Sequence, residues 1–325
     1  MKRLEADIVR KLKTSRRYLT RGDLGEACST GRGDVAEAVE ALRARGYRID
    51  EVPGEGYRLV EAPDMMAASE IKLALRTSVL GREVHVHERV VSTNDSALRL
   101  ARDGAPEGTL VLAEEQTGGR GRLGRHWHSP AGLGLWFSLV LRPRLAARES
   151  SSVSLAAALG IARALRKDYG VKTEVKWPND VVVGPKKICG LLTEAEFVED
   201  RVKFIVLGVG LNVLQREGDF PPQLRAGATS LVLAGGGAAG RLGVLLSVLA
   251  AVEEAYLLLG TGGFAAIRED VIAVSSLVGK FTTVVTGRDE VEGTVVDMDE
   301  NGALILRTEC GQLRYLIAGE VVRVG

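Results

Sequence analysis

The chain has 325 residues, of which 46% are hydrophobic and 26% charged, and its formal net charge is +1. These values are typical of a globular protein with two or three domains and a sizeable hydrophobic core. The near-neutral charge argues against a protein whose whole surface coats nucleic acid, so contact with DNA would need a local basic patch.

The cysteines and the apolar segments predict a cytoplasmic protein that does not enter a membrane. Cys28, Cys189 and Cys310 are odd in number and lack the paired spacing of metal ligands. We therefore expect reduced thiols and no metal site made by protein side chains. The first residues lack an apolar signal region. The most apolar long run, residues 242–259, contains two adjacent glutamates, which favours a packed helix over a membrane span.

Three helices are predicted at the N-terminus. Thr20 is a candidate cap for a short second helix, because its hydroxyl can accept a hydrogen bond from a backbone N–H of the first turn. On the third helix, Val35, Val39 and Leu42 lie at i, i+4 and i+7, which is the spacing of one apolar helix face. This third helix is predicted to be amphipathic and to end near Gly46.

A short hairpin is predicted after these helices. Residues 47–49 and 57–60 have the composition of strands and flank the turn sequence Pro53-Gly54-Glu55-Gly56. Helices followed by such a wing form a DNA-reading architecture. Residues 1–64 are therefore predicted to be a winged helix-turn-helix domain that ends in the linker Ala62-Pro63-Asp64.

The charge of this domain departs from that of a DNA reader. Residues 1–21 carry eight Lys or Arg against two Asp or Glu, whereas residues 22–62 carry five against nine. The third helix would present three carboxylates, which repel the DNA backbone, at Asp34, Glu37 and Glu40. The candidate DNA-binding residues are Arg32, Arg43 and Arg48. Operator binding and a module that is vestigial or only supports dimer formation both stay open.

Residues 65–276 alternate between strands and helices, which predicts a single α+β domain. Strands are predicted at residues 83–91, 109–113, 133–141, 181–183, 188–197 and 202–209, and helices at residues 96–102 and 153–167. Residues 277–325 have a different pattern of predicted elements, because short strands follow one another with polar turns between them. Those strands, at residues 280–286, 290–297, 303–307, 312–316 and 320–324, predict a small β-barrel.

The segment from Gly118 to Trp127, here called the arginine loop, is the most informative part of the chain. It places three arginines among four glycines, and no Asp or Glu occurs from residue 116 to residue 148. Glycine allows a backbone to approach a ligand closely, and arginine binds phosphate or carboxylate through a planar, charged fork. The loop is therefore predicted to fold around an anion.

Two further segments carry polar groups suited to a ligand. Ser92-Thr93-Asn94-Asp95 lies upstream of the arginine loop, although such a sequence alone is more often a helix cap. Downstream, Lys176-Trp177-Pro178-Asn179-Asp180 is followed by Lys187-Ile188-Cys189-Gly190-Leu191-Leu192. Taken alone, Lys176 could equally be a solvated strand end. Cys189 stands among apolar residues and is predicted to be a buried thiol rather than a nucleophile.

These segments, in this order and at these spacings, resemble the ligand-binding segments of biotin protein ligases. The N-terminal domain resembles that of the bifunctional members, which also repress the biotin operon. The resemblance covers nearly the whole chain and implies an α+β fold in three parts. These are the winged helix-turn-helix domain, a central mixed-sheet catalytic domain of the biotin/lipoate ligase type over residues 65–276, and a small SH3-like β-barrel over residues 277–325.

The resemblance also implies roles for individual residues. The biotin-binding positions would be Ser92, Thr93, Asn94, Gln116, Arg120, Gly121, Arg122 and Lys187. The positions that bind ATP or the adenylate would be Arg122, Arg125, Trp127, Lys176, Asn179 and Asn212. The catalytic positions would be Arg122, Lys187 and Asp180, and Asp180 would either hold Lys176 or polarise the lysine amine that accepts biotin.

The implied chemistry needs ATP, because a carboxylate is a poor electrophile until it is activated as an acyl-adenylate. Fixed arginines and lysines would stabilise the charge that develops in the transition state, and Mg²⁺ would bind with the nucleotide phosphates. The implied partners are biotin, ATP, a biotin carboxyl carrier protein and operator DNA, with a homodimer once the adenylate is bound. A lipoate–protein ligase and a ligand-sensing repressor without transferase activity are the alternatives.

Overall fold

The structure is a computed structural model that describes residues 3–15, 17–61, 66–237 and 240–325. It divides into two compact units, Met1–Leu75 and Arg76–Gly325. The predicted linker at residues 62–64 lies outside the described residues. The second unit contains both the predicted α+β domain and the predicted C-terminal domain.

The first unit contains the predicted three helices and hairpin, followed by one short helix that the sequence did not predict. Its elements are α1 (Arg3–Thr14), α2 (Arg21–Cys28), α3 (Arg32–Ala44), β1 (Arg48–Val52), β2 (Gly56–Glu61) and α4 (Ala68–Ala74). Thr20 caps α2 as predicted, because its side chain accepts from the backbone N–H of Asp23 and the Asp23 carboxylate accepts from that of Thr20. Val35, Val39 and Leu42 are buried in the core of this unit.

The hairpin of the first unit is held by a close backbone contact that requires glycine. Gly56 has a φ of +106°, and a Cβ at this position would lie 2.1 Å from the carbonyl oxygen of Leu19. The adjacent Tyr57 exchanges two backbone hydrogen bonds of 2.8 Å with Leu19. Any larger residue at position 56 would therefore push the hairpin away from the segment that precedes α2.

The second unit is built on a seven-stranded mixed sheet. Its strands are β3 (Val84–Val90), β4 (Leu110–Gln116), β5 (Gly134–Leu141), β6 (Glu174–Lys176), β7 (Asp180–Val183), β8 (Lys186–Val198) and β9 (Arg201–Asn212). Their order is β3-β4-β5-β9-β8-β7-β6. β3 and β4 are parallel, and the other neighbours are antiparallel. Every residue of β5 is buried, which places this strand at the centre of the core.

Helices cover the sheet. They are α5 (Thr93–Arg102), α6 (Ser152–Tyr169), α7 (Arg241–Gly262) and α8 (Ala265–Ala273). α6 and α7 pack closely, since a Cβ at Gly160 would lie 2.6 Å from the carbonyl oxygen of Ala251. Among the described residues, α7 alone has the length and apolar composition of a membrane span, and half of that apolar window is buried. Its buried side recurs every three or four residues, as in the packed helix that was predicted.

The C-terminal part of the second unit is an antiparallel five-stranded sheet, and it contains the five predicted strands. They are β10 (Phe281–Thr286), β11 (Asp289–Met298), β12 (Leu304–Arg307), β13 (Leu313–Leu316) and β14 (Glu320–Val324), in the order β13-β12-β11-β10-β14. Val284, Val295 and Leu304 are buried in its core. The indole N–H of Trp177 donates to the carbonyl oxygen of Gly302 at 3.0 Å, which ties this sheet to the segment between β6 and β7.

Candidate functional site

A cavity of about 410 Å³ in the second unit contains every site residue that the sequence predicted outside the N-terminal domain. The N-terminus of α5, the end of β4, the arginine loop, the turn between β6 and β7, and strands β8 and β9 all contribute to its lining. The predicted residues that line it are Ser92, Thr93, Asn94, Gln116, Arg120, Gly121, Arg122, Arg125, Trp127, Lys176, Asn179, Asp180, Lys187 and Asn212. Segments that are far apart in the sequence thus converge on one cavity.

Three polar side chains of the cavity wall, Thr93, Asn94 and Gln116, belong to a hydrogen-bonded group that also includes Ser129 and Ser138 and is here called the polar floor. The Oε1 of Gln116 accepts from the backbone N–H of Thr93 at 2.9 Å. The hydroxyl of Ser138 lies 2.7 Å from Oδ1 of Asn94 and 2.8 Å from Oγ1 of Thr93. Buried polar groups are costly unless paired, and this network pairs them while holding their positions.

Ser92 has a different status from the polar floor. It occupies the N-cap position of α5, but its side chain makes no capping hydrogen bond there. The residue is buried and lines the cavity. Its hydroxyl is therefore available to a ligand, and helix capping does not account for this serine.

The arginine loop folds as a narrow hairpin. The backbone N–H of Trp127 donates to the carbonyl oxygen of Gly119 at 2.8 Å, and that of Gly121 donates to Arg125 at 2.7 Å. Leu123 forms the tip with a φ of +56°, and its side chain is 78% exposed. A leucine in the left-handed region is strained, so the tip conformation depends on the contacts that hold the loop on either side.

The arginines of the loop have different partners. Nη2 of Arg120 lies 2.6 Å from the carboxylate of Asp95 and 3.0 Å from that of Glu194. Arg125 pairs with Glu320 at the start of β14, at 2.6 Å. Among the described residues, Arg122 donates only to neutral oxygens, namely Oδ1 of Asn179 and the carbonyl of Gly319, both at 3.2 Å. The C-terminal sheet therefore contributes directly to the wall of the cavity.

Trp127 closes one side of the cavity by lying flat against two glycines. A Cβ at Gly210 would lie 2.3 Å from its indole nitrogen, and a Cβ at Gly190 would lie 2.9 Å from its ring. Nζ of Lys187 is 5.3 Å from the centre of the same ring. The buried indole nitrogen has no hydrogen-bond acceptor within the described part of the chain. A ligand oxygen or nitrogen in the cavity would supply that acceptor.

The partner of Asp180 differs from one of the two expectations. Lys176 and Asp180 are opposite one another in the β6–β7 register, yet the Asp180 carboxylate lies 2.6 Å from Nζ of Lys187. The expectation that Asp180 holds Lys176 was therefore wrong. The β7–β8 hairpin carries Asp180 and Lys187 on adjacent strands, which brings the two charges together.

The positive charge of the cavity is unevenly neutralised. Arg120, Arg125 and Lys187 each have a carboxylate partner. No carboxylate oxygen of the described residues lies within 4.0 Å of the charged nitrogens of Arg122 or Lys176. These two side chains therefore lack a carboxylate counter-charge among the described residues, which favours an anion such as a phosphate beside them.

Other residues near the cavity are engaged within the protein. Cys189 is fully buried, and burial raises the pKa of its thiol, so it remains a neutral core thiol as predicted. The amide of Asn212 donates to the carbonyl of Thr229 at 2.9 Å and accepts from Gln215 at 3.2 Å. Asn212 thus lines the cavity with a side chain that is already paired.

Several residues that build the cavity were missed at the level of sequence. Ser138 stands inside an apolar strand, and Glu194 and Glu320 lie in stretches without a recognisable motif. Their contacts arise from strand register and from the packing of the C-terminal sheet, which a single sequence does not reveal. For Ser138, a lone hydroxyl within a fully buried strand was the available signal.

The candidate DNA-binding arginines of the first unit are described separately. Arg32 is exposed at the start of α3. Arg43 donates to the carbonyl of Ile49 at 2.9 Å and pairs with Glu40 and Glu51. Arg48 pairs with Glu61 at 2.6 Å, with both side chains exposed. Arg43 and Arg48 are therefore already engaged within this unit, and a phosphate would have to compete for them.

Comparison with known proteins agrees with this geometry. Residues 86–212 match the biotin/lipoate A/B protein ligase family, and residues 278–324 match the biotin protein ligase C-terminal domain. A bifunctional ligase/repressor of Bacillus subtilis is 36% identical over 90% of both chains. The chain belongs to the biotin protein ligase family. This confirms the family resemblance and the α+β fold that the sequence predicted.

Further relatives support the same assignment. The biotin–[acetyl-CoA-carboxylase] ligase of Paracoccus denitrificans is 36% identical over 72% of this chain and 97% of its own length. The biotin protein ligase of Aquifex aeolicus, solved in complex with biotin and ATP, superposes with a TM-score of 0.64 at 30% identity. That comparison covers 75% of this chain and the whole of the Aquifex chain. The chain is accordingly a ligase whose substrates are biotin and ATP.

Proposed function

We propose that this protein joins biotin to a lysine of a biotin carboxyl carrier protein in two steps within the cavity. In the first, a carboxylate oxygen of biotin attacks the α-phosphorus of ATP, which forms biotinyl-5'-adenylate and releases pyrophosphate. In the second, the lysine amine attacks the acyl carbon, AMP leaves, and the amine loses a proton. A reactive mixed anhydride must be shielded from water between these steps, and the arginine loop is suited to that task.

The observation that carries this proposal is the uncompensated charge of Arg122 and Lys176 in a cavity that also contains the polar floor. A polar, uncharged head group fits hydroxyls and amides, whereas a triphosphate needs cations that no carboxylate has neutralised. One cavity therefore offers a site for each of the two substrates. We assign biotin to Ser92, Thr93, Asn94, Gln116 and the start of the arginine loop, and ATP to Arg122, Lys176, Asn179 and Trp127.

Lys187 and Asp180 are assigned to the reacting centre. Lys187 would bind the carboxylate of biotin and afterwards the phosphate of the adenylate, stabilising negative charge in the transition state. Its ion pair with Asp180 would then loosen, which leaves the Asp180 carboxylate free to accept a proton from the incoming lysine amine. Mg²⁺ would enter with the nucleotide phosphates and keep several of its waters. Arg122 would complete the stabilisation of the transferred phosphate.

Pyrophosphate release from purified protein tests the substrate assignment. We expect release that depends on ATP and biotin together and that is at least a hundredfold slower with lipoate. A site built to hydrogen-bond a polar head group rejects an analogue that leaves its buried groups unpaired. Faster release with lipoate would instead support the alternative of lipoate–protein ligation.

Regulation of transcription is the second proposed activity. It is supported by the helix-turn-helix order of α1 to β2 and by the bifunctional relative of Bacillus subtilis. We assign DNA contacts to Arg32, Arg43 and Arg48, and we propose that the adenylate promotes a homodimer that binds two half-sites. The carboxylates of α3 act against such binding, whereas each phosphate that these arginines contact should make its affinity fall with salt.

Titration of operator DNA with and without biotinyl-adenylate tests this activity. The proposal requires tighter binding by the adenylate-bound protein, together with a change from monomer to dimer in sedimentation. Equal binding at saturating adenylate would leave the N-terminal domain without a regulatory role.

The domain boundaries proposed from sequence, 1–64, 65–276 and 277–325, can be checked in the same study by limited proteolysis. A cytoplasmic location is proposed because the relatives use ATP and carboxylase substrates.

A further inference from the structure

Glu194, in the middle of β8, accepts hydrogen bonds from two residues on different elements. Its Oε2 lies 2.7 Å from Nδ2 of Asn94 and 3.0 Å from Nη2 of Arg120. The same Nη2 of Arg120 lies 2.6 Å from Oδ1 of Asp95, in the first turn of α5. Arg120 is therefore held between β8 and α5 by two carboxylates, and one of them also holds the amide of Asn94.

Glu194 is the closer of two acceptors that orient the amide of Asn94, at 2.7 Å from its Nδ2, whereas the carbonyl oxygen of Leu192 lies 3.3 Å away. An ionised carboxylate can only accept, so Asn94 must turn its amide nitrogen to Glu194 and its Oδ1 to Ser138. The hydroxyl of Ser138 then donates to that Oδ1 at 2.7 Å. The one hydroxyl proton of Thr93 can then be donated to Ser138 at 2.8 Å or to Oε1 of Gln116 at 3.1 Å. The orientation of the Asn94 amide thus depends mainly on one charged group, which is its closer acceptor.

The same series of hydrogen bonds returns to the arginine loop at its other end. Nε2 of Gln116 lies 2.9 Å from the hydroxyl of Ser129, and that hydroxyl lies 3.2 Å from the carbonyl oxygen of Trp127. The loop is therefore joined to the polar floor through Arg120 on one side and through Trp127 on the other. A movement of the loop would disturb the floor, and a change in the floor would disturb the loop.

We propose that Glu194 and Asp95 are positioning residues that hold the polar floor and the arginine loop as one unit before ligand binds. This inference rests on the proposed ligase function and assigns it two further residues. Neither carboxylate is among the residues that line the cavity, so each acts through Asn94 or Arg120. Glu194 positions both the polar floor and the arginine loop, whereas Asp95 positions the arginine loop alone.

Glu196 offers a matched control on the same strand. Its carboxylate lies 2.7 Å from Nζ of Lys203 and 3.2 Å from Nε of Arg102. Its side chain is 35% exposed, compared with 30% for Glu194. Glu196→Gln therefore removes two ionic contacts from a carboxylate of similar exposure, whereas Glu194 has one ionic and one amide partner, and it leaves the polar floor and the arginine loop untouched.

Tryptic cleavage of the ligand-free, full-length protein tests the hold on the loop directly. We expect Glu194→Gln and Asp95→Asn to raise the rate of cleavage within the arginine loop, after Arg122 or Arg125, at least fivefold. Cleavage of Glu196→Gln should stay within twofold of the unmodified protein. This readout requires neither biotin nor ATP, so its outcome does not depend on the proposed function.

Kinetics with biotin and ATP separate the two carboxylates. Glu194→Gln should raise the KM for biotin at least tenfold, because Asn94 keeps only its longer contact with the carbonyl of Leu192 and Arg120 loses one of its two carboxylates. Asp95→Asn should raise that KM less than Glu194→Gln does, yet speed the loss of the adenylate at least fivefold, because it weakens the hold on Arg120 and leaves Asn94 in place. Restoring the carboxylate in Glu194→Asp should recover part of the biotin affinity, which general destabilisation would not produce.

A negative result in the tryptic cleavage and a negative result in the kinetics would mean different things. Loop cleavage and a biotin KM in Glu194→Gln equal to those of Glu196→Gln would overturn the inference even if the protein is an active ligase. Should Glu194→Gln fail to fold, unchanged loop cleavage in Asp95→Asn would overturn it. If the unmodified protein released no pyrophosphate, the ligase proposal would fail, and the cleavage rates alone would decide whether the carboxylates hold the loop.

Discussion

At the scale of single residues, the arginines of the cavity differ in whether a carboxylate pairs with them. Arg120 and Arg125 are each held by carboxylates, whereas Arg122 donates only to neutral oxygens. An arginine whose charge is neutralised mainly positions the backbone around it, and one whose charge is free can bind a phosphate. We therefore expect the three arginines of one loop to have different functions, although the sequence presents them alike.

Arg122 and Lys187 should differ in the step that their loss affects. Arg122→Gln is expected to slow adenylate formation by about 10²–10³-fold and to speed the loss of any adenylate formed, since one stabilising donor is removed. Lys187→Ala should abolish adenylate formation, because the biotin carboxylate then lacks its counter-charge. Single-turnover pyrophosphate release measures the rate of adenylate formation in both variants. Arg144→Gln, at an exposed site outside the cavity, is the control, and near-normal turnover by Lys187→Ala would contradict the assignment.

At the scale of elements, strand β9 shapes the cavity because two of its residues are glycines without side chains. Asn94 lies against Gly208 and Trp127 lies against Gly210 on the same strand, because neither glycine presents a side chain. Gly210→Ala would put a methyl group in the position of the Trp127 ring. We expect at least a tenfold rise in the KM for ATP, with the melting temperature largely kept. Gly218→Ala, where a Cβ meets nothing within 4 Å, is the control, and equal effects of the two changes would refute the packing argument.

Helix α7 holds a loop of the second unit through one carboxylate. Burial alone would raise the pKa of Glu253, but backbone N–H groups of Ser78, Leu80 and Val79 donate to it and hold its pKa below the ordinary value of 4.5. In Glu253→Gln an amide NH₂ would face some of these N–H donors. We expect a loss of about 1–3 kcal/mol in the free energy of unfolding, measured by urea denaturation at pH 7.

The same contact gives a dependence on pH with a definite sign. Because the native pKa of Glu253 is lowered, its contribution is complete above the unfolded value of 4.5 and is lost as the pH falls through the native pKa. The difference in stability between the unmodified protein and Glu253→Gln should therefore shrink below about pH 4.5. A difference that stays constant from pH 7 to pH 3 would show that the effect is one of packing.

The helices and strands show which parts of the structure could be predicted from a single sequence. The alternation of strands and helices and the cap at Thr20 depend on local preferences, so they were predicted correctly. Helices α4 and α8 were missed, since short helices with weak periodicity give little local signal. The residues of the cavity were identified because motifs carry their residue types. Glu194, Ser138 and Glu320 were not, because their contacts depend on strand register and on packing between distant segments.

At the scale of the whole molecule, the C-terminal sheet completes a cavity that the central sheet begins. Arg125 pairs with Glu320 and Arg122 donates to the carbonyl of Gly319, so β14 and its preceding turn hold the tip of the arginine loop. The C-terminal sheet should therefore contribute to catalysis as well as to stability. This explains physically why loop and C-terminal residues that lie far apart in the sequence would have to work together.

A double-mutant cycle tests the link between Arg125 and Glu320. Arg125→Gln and Glu320→Gln should each speed adenylate release about threefold to tenfold, whereas the double variant should be no worse than the more affected single one. Residues that act through one ion pair cannot lose it twice. Effects that multiply in the double variant would mean that the two residues act independently.

We expect the arginine loop and the cavity beneath it to activate biotin and to pass it to a protein amine. Transfer of radiolabelled biotin to the lysine of a biotin carrier domain, measured with and without ATP, checks this expectation. Labelled carrier should form only when ATP is present and when Arg122 and Lys187 are intact. Label that reaches the carrier without ATP, or that fails to reach it under any condition, would show that the cavity does not carry out this transfer.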